Sequence, residues 1–171
     1  MARNRVIAAV GVFALSAFVG VVVAREVLHP QLTPEKGTFD KAEGKIGEKP
    51  DQPWSVTTVA AAVDGKPVPG KVTTVTGEII DLSCYLQVGK HGGKHRDCGQ
   101  KCLRNGQPIG LLTKDGTVYL LMEEEHDPRR DGMTNFRQAA IDHMAYVMEV
   151  TGTSSEVGGQ KALFVTGYLK K

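Results

Sequence analysis

All three cysteines and two of the five histidines fall in one stretch, Cys84–Cys102, reading CYLQVGKHGGKHRDCGQKC. His95, Cys98 and Cys102 are spaced i, i+3, i+7, so a helix would carry all three on one face. Three thiolates and one imidazole suffice for a tetrahedral zinc ion, with Cys84, His95, Cys98 and Cys102 as ligands. Thiolates also suit copper(I) or an iron–sulfur cluster, so ligand type alone leaves the metal open. His91 is a spare ligand, although Gly92-Gly93 interrupts any continuous helix between it and His95. The spacing C-x13-C-x3-C is not that of a zinc finger. It also lacks C-x-x-C-H for covalent haem and the paired ligands of a Rieske centre.

The same residues allow two other chemistries. In an oxidising compartment, three cysteines read as one structural disulfide plus a leftover thiol. Cys98 and Cys102 are close enough for a bridge on a helix, but their Cβ vectors run roughly parallel there. Cys84 with Cys98 or Cys102 is therefore the better pair. Thiol–disulfide exchange is the third reading, with His95, Arg96 and Lys101 lowering a thiol pKa. The C-x-x-C motif of thioredoxin-like enzymes is absent.

Elsewhere the chemistry thins out. His126 sits in EEEHDPRR, an acidic run that could bind a divalent cation but reads first as a solvated loop. Asp142-His143 reads as a capping or surface pair, and Arg129 and Arg130 as solvated charges. No Ser-His-Asp set, phosphate-binding glycine loop or carboxylate pair at a recognisable spacing occurs. The sequence makes no positive case for an enzyme.

The elements that must hold the cysteine–histidine stretch are mostly strands. Lys71 to Leu82 is β-branched, with Gly77 marking a bulge or sharp coil. Ile109–Thr113 and Thr117–Met122 form a hairpin across Lys114-Asp115-Gly116. Thr134 or Asn135 caps a short helix carrying Phe136, Ala139 and Ala140. Ala145–Thr153 and Lys161–Leu169 form a last hairpin across Ser154–Gln160. Ahead of these, Ser55 caps a short amphipathic helix with Val56, Val59, Ala60 and Val63 on one face. Within the stretch itself, Tyr85–Gly93 reads as a loop and Lys94–Leu103 as a helix stopped at Asn105-Gly106.

Five strands with a helix between the third and fourth is the plan of an OB-fold barrel. Residues 83–108 are then an insert between its first two strands, in a domain spanning residues 54–171. The strings VTGEIID and MEVTGTSSEVGGQKALFVTGYL resemble the glycine-bearing strands of small bacterial OB-fold domains. The longer pattern G-E-I-I-D-x-x-C-Y, H-x-x-C-x-x-x-C, G-x-P-I-G-L resembles a group of little-characterised, membrane-anchored extracytoplasmic proteins, a likeness that brings no activity with it. Oligonucleotide-binding OB faces use exposed aromatics and a basic groove. With 6% aromatic residues and a net charge of +2, nucleic acid is not an expected partner.

The N-terminus sets the expected location. Val6–Ala24 contains no charge and one polar side chain, Ser16. At about 1.5 Å per residue it reaches about 28 Å, close to the hydrocarbon thickness of a bilayer. Arg3 and Arg5 ahead of it favour an N-terminus-in orientation, with the barrel on the periplasmic side of the inner membrane. Cleavage after Val22-Val23-Ala24 as a signal peptide is the competing reading. Residues 25–53, with Pro30, Pro34, Pro50 and Pro53, read as a linker lacking apolar periodicity. The expected role is an accessory or structural subunit of a membrane complex, such as an electron-transfer assembly. A periplasmic metal- or haem-handling chaperone is the alternative: cytochrome c maturation haem chaperones share the plan of one span and an OB barrel. Their histidine follows the barrel, whereas this chain ends Tyr168-Leu169-Lys170-Lys171. A thiol–disulfide oxidoreductase is the third possibility.

Overall fold

The computed structural model describes residues 32–124, 126 and 134–166. The apolar run Val6–Ala24 lies outside them, and no helix among the described residues is long and apolar enough to cross a membrane. In chain order the strands are β1 (Gly44–Ile46), β2 (Lys71–Asp81), β3 (Ile109–Thr113), β4 (Val118–Glu123), β5 (Val147–Val157) and β6 (Gln160–Val165). The helices are α1 (Val56–Ala61), α2 (Leu82–Val88), α3 (Arg96–Arg104) and α4 (Asn135–Asp142).

β2 is long enough to serve two neighbours. Its first part runs antiparallel to β5 and its last part antiparallel to β3, and Gly77 pairs with both Met148 and Thr113. A Cβ at Gly77 would lie 2.7 Å from Leu111 Cγ and 2.8 Å from Leu112 O, so glycine permits the close approach at which the strand coils. β3 continues antiparallel to β4, β4 runs parallel to β6, and β6 turns antiparallel onto β5. That last pairing closes a five-stranded barrel with α4 between its third and fourth strands, an OB-like arrangement. Closure also removes the exposed sheet edges that an open sheet would present.

The barrel interior is filled by Ile79, Leu111, Leu121, Met148, Val150 and Leu163, and closed at one end by Phe136, Ala140, Ile141 and Met144. Leu103 of α3 belongs to this same core and is fully buried. A smaller cluster on the outer side of β2 and β3 joins Ile80, Leu82 and Leu112 with Tyr85.

Several local expectations change. From Leu32 onward, the segment read as a linker is laid against the barrel. Glu35 N donates to Ala145 O and Glu43 N to Val147 O, each at 2.8 Å. β1 runs parallel to β5, and Ile46 enters the core. Three residues of strand are too few for an alternating pattern to stand out in the sequence. α1 is capped by Ser55, which accepts from Thr58 N, yet its apolar side chains are not buried: Val56 is 85% exposed, and Val63, expected on the same face, lies just beyond the helix at 83%. Polar contacts hold this helix instead, with Ser55 N donating to Glu124 Oε1 at 2.7 Å and Thr58 Oγ1 to Glu124 O at 3.0 Å. The last hairpin turns more tightly than expected, because β5 runs on to Val157 and turns through Gly158-Gly159, both at positive φ; β6 ends at Val165, and residues 167–169 of the expected strand lie outside the described residues.

Candidate metal centre

The site begins where β2 stops. Asp81 ends the strand and caps the next helix, its Oδ1 accepting from Ser83 N at 3.1 Å and from Cys84 N at 3.4 Å. α2 ends at Gly89 in the left-handed region, φ 68°. Tyr85–Val88 are thus helical rather than a loop. The start signal is an aspartate at a strand end followed by Leu-Ser-Cys, and the stop signal is Gly89. Cys84 sits on the first turn of α2, which returns its side chain toward the strand end.

The chain then doubles back over β2. Glu78 is fully buried on the outer face of the strand, with Oε1 accepting from Gly92 N at 2.6 Å. Its Oε2 lies 2.8 Å from His91 Nδ1. A buried carboxylate needs such partners, and these fix the loop that carries His91. Gly93 N donates to Thr33 O at 2.7 Å, tying the same loop to the segment entering the domain. A 3-10 turn, Gly93–His95, leads into α3, so the helix expected over Lys94–Leu103 starts at Arg96 with His95 as its N-cap.

α3 is fastened to α4 from both ends. Arg96 donates to Met144 O at 2.7 Å and Asp142 O at 3.0 Å, with its guanidinium 4.5 Å from the centre of the Tyr146 ring. Gln100 Nε2 donates to Ile141 O at 2.8 Å, and Arg137 reaches back to Leu103 O at 2.9 Å and Gln107 O at 3.0 Å. Gly99 faces Met144 so closely that a Cβ there would run into the thioether end.

These anchors leave the opposite face of α3 turned toward Cys84 and Asp81. One ligand-capable atom each from Asp81, Cys84 and His95 lie within 4.8 Å of one another, and among the described residues this is the one such group. Asp81 is fully buried and His95 is 5% exposed. His95 Nε2 and Asp81 Oδ2 face each other at 3.8 Å, and neither has a hydrogen-bond partner. Across a tetrahedral zinc ion an oxygen and a nitrogen ligand stand roughly 3.4 Å apart, given bonds of about 2.0–2.2 Å. The observed gap is therefore close to that of a ligand pair.

Cys102 adjoins the group. The Asp81 carboxylate lies near the thiols of Cys84 and Cys102 and raises the pKa of both. The neighbouring carboxylate is the chief reason the Cys84 thiol is raised above its ordinary pKa, followed by burial. Cys102 is pushed up to about 12, first by burial and then by Asp81. At neutral pH both sulfurs are protonated, so protons occupy the ground on which a cation would be held. The group itself offers one sulfur, one imidazole nitrogen and one carboxylate oxygen, a donor set that can hold a metal ion.

The residues expected from the sequence divide accordingly. Cys84 and His95 meet in the group, and Cys102 adjoins it. Cys98 is exposed, near enough for its charge to act on Cys84 and Cys102. His91 is held away by Glu78 and packs edge-on against Tyr85. The three cysteines are free thiols, with no disulfide among them. Asp81 was not among the expected ligands. A strand expected to run on through Asp81 to Leu82 gives no sign that Asp81 caps a helix, a job that needs only one of its oxygens. His126 is exposed and most of its acidic run lies outside the described residues, while His143 Nδ1 donates to Ala139 O at 2.8 Å in an ordinary helix-end contact. No protein family, curated protein or solved structure matches this chain.

Proposed function

We propose that this chain is a membrane-anchored, extracytoplasmic metal-binding domain, with Asp81, Cys84, His95 and Cys102 holding one zinc ion. The observation that carries the reading is the facing pair of buried, unpartnered atoms, His95 Nε2 and Asp81 Oδ2, beside two thiols. Leaving such atoms unpaired costs about 1–3 kcal/mol each, and a cation between them removes that cost. A carboxylate in the set favours zinc over copper(I).

The role is that of an accessory subunit of a membrane complex, with Val6–Ala24 as the span. The fixed barrel and the absence of a catalytic set in the sequence support this reading. A second reading, a carrier that passes metal on, is favoured by exposed Cys98 at the edge of the site. An exposed thiol beside buried ligands gives an incoming partner a first point of ligand exchange. Metal analysis of the purified chain with a thiol count tests the assignment. One zinc per chain is expected, lost in Cys102→Ser and retained in His91→Ala. Retention of stoichiometric zinc in Cys84→Ser, Cys102→Ser and His95→Ala alike would refute it.

A further inference from the structure

The metal centre opens beside a recess of about 660 Å³ lined by Leu32, Val88, Gly89, Lys90, Lys94, His95 and Cys98. Val88, at the end of α2, is 63% exposed, and Leu86 one half-turn earlier is 70% exposed. Two large apolar side chains in water on one short helix want a cover, although alone they do not say which. Lys90 and Lys94 are exposed and are not among the ion pairs formed by the described residues. Neither Asp97 nor Glu35 lines the recess, although the Glu35 carboxylate lies against Gly93 beside Lys94.

The course of the chain supplies the missing direction. Leu32, where the described domain begins, is itself part of the recess, and Thr33 O is fixed to Gly93 N at 2.7 Å. Only residues 25–31 separate Leu32 from Ala24, the end of the apolar run. Eight peptide steps from Ala24 to Leu32 reach at most about 28 Å. Leu32, at the edge of the recess, therefore lies within about 28 Å of the end of that run.

We propose that the face formed by Leu32, Val88, Lys90 and Lys94 docks on anionic lipid headgroups, turning the mouth of the metal centre toward the bilayer. The inference rests on the reading of Val6–Ala24 as a membrane span. Lysines at a surface bearing anionic lipid are attracted to it, and apolar side chains beside them enter the headgroup boundary. Cys98 then faces the membrane, and an ion enters or leaves at the lipid surface, where a membrane-embedded partner could reach it.

The test uses the full chain carrying Val88→Trp, reconstituted into vesicles of brominated phosphatidylcholine with or without phosphatidylglycerol. An alkaline wash first establishes that the chain remains in the vesicles; release at this step overturns the span reading on its own. With the chain retained, quenching of the introduced tryptophan is expected in anionic vesicles and much less in neutral ones. Trp54, the chain's only native tryptophan, provides the baseline. The double variant Lys90→Glu, Lys94→Glu should lower the docked-to-free ratio at least about tenfold, as should high salt. Equal quenching in both vesicle types, or quenching indifferent to the charge reversal, overturns the docking proposal. Loss of quenching on self-association of the chain also overturns it, in favour of a second copy as the occupant.

Discussion

Replacing Asp81 by asparagine separates the two jobs this residue holds. Oδ1 caps α2 through Ser83 N and Cys84 N, and asparagine caps about as well as aspartate. Oδ2 faces His95 without a partner, and asparagine puts a neutral group there that cannot replace an anionic ligand. The metal-free variant should therefore be about as stable as the parent, because the cap of α2 is kept. Its zinc affinity should fall by about 100-fold or more, in line with the loss of one ligand of four. At free zinc 100 times the parent's Kd, binding stabilises the parent by about 2.7 kcal/mol. A 100-fold weaker variant at the same zinc gains only about 0.4 kcal/mol. At about 3–4 °C per kcal/mol for a domain of this size, zinc should raise the parent's Tm by roughly 10 °C and the variant's by 1–2 °C. Thermal scans with and without zinc read this directly. The apo variant should also alkylate faster at Cys84, since the chief cause of its raised pKa is removed. A metal-free Asp81→Asn that loses several kcal/mol while keeping the parent's zinc shift would refute the reasoning, making Asp81 a structural residue only.

The thiols and the helix packing give three further expectations. Binding a cation must displace the protons on Cys84 and Cys102, so zinc affinity should rise by up to about 100-fold per pH unit below pH 8, read by competition with a chelator. For the metal-free domain the folded pKa of Cys102 lies above its ordinary value of 9.0. Its contribution to stability is thus fully present below about 9 and lost as pH rises toward about 12, which denaturant midpoints across that range would show. Gly99→Ala should cost about 1–3 kcal/mol in urea unfolding, because the added methyl displaces fully buried Met144 between α3 and α4.

The barrel was legible because its signals are local. β-branched runs, the Lys114-Asp115-Gly116 turn and the Thr134 cap each fix an element without reference to the rest. The site was half legible. Cys84, His95 and Cys102 stand out by residue type, and the structure brings them to one end of β2. Asp81 did not stand out, since a carboxylate at a strand end is ordinary until the next residues are seen to form a helix. His91 and Cys98 have the right chemistry but the wrong surroundings: one is claimed by Glu78, whose burial no pattern announces, and the other faces solvent. Residues 32–50 were illegible for a different reason. They join the barrel through backbone hydrogen bonds and the single core side chain Ile46, and backbone bonding leaves little trace in composition.

The crossed arginines of α3 and α4 bear on the speed of metal exchange. Arg96 caps the end of α4 while Arg137 caps the end of α3, and Leu103 is locked in the common core. The segment bearing His95 and Cys102 cannot peel away without disrupting both helix ends and that core, so its opening belongs with global unfolding, not with local fraying. Spontaneous release of a bound ion would then be slow, on the clock of the whole domain. Fast exchange would need an incoming thiol or imidazole to attack from the Cys98 side, making the rate depend on the concentration of the acceptor.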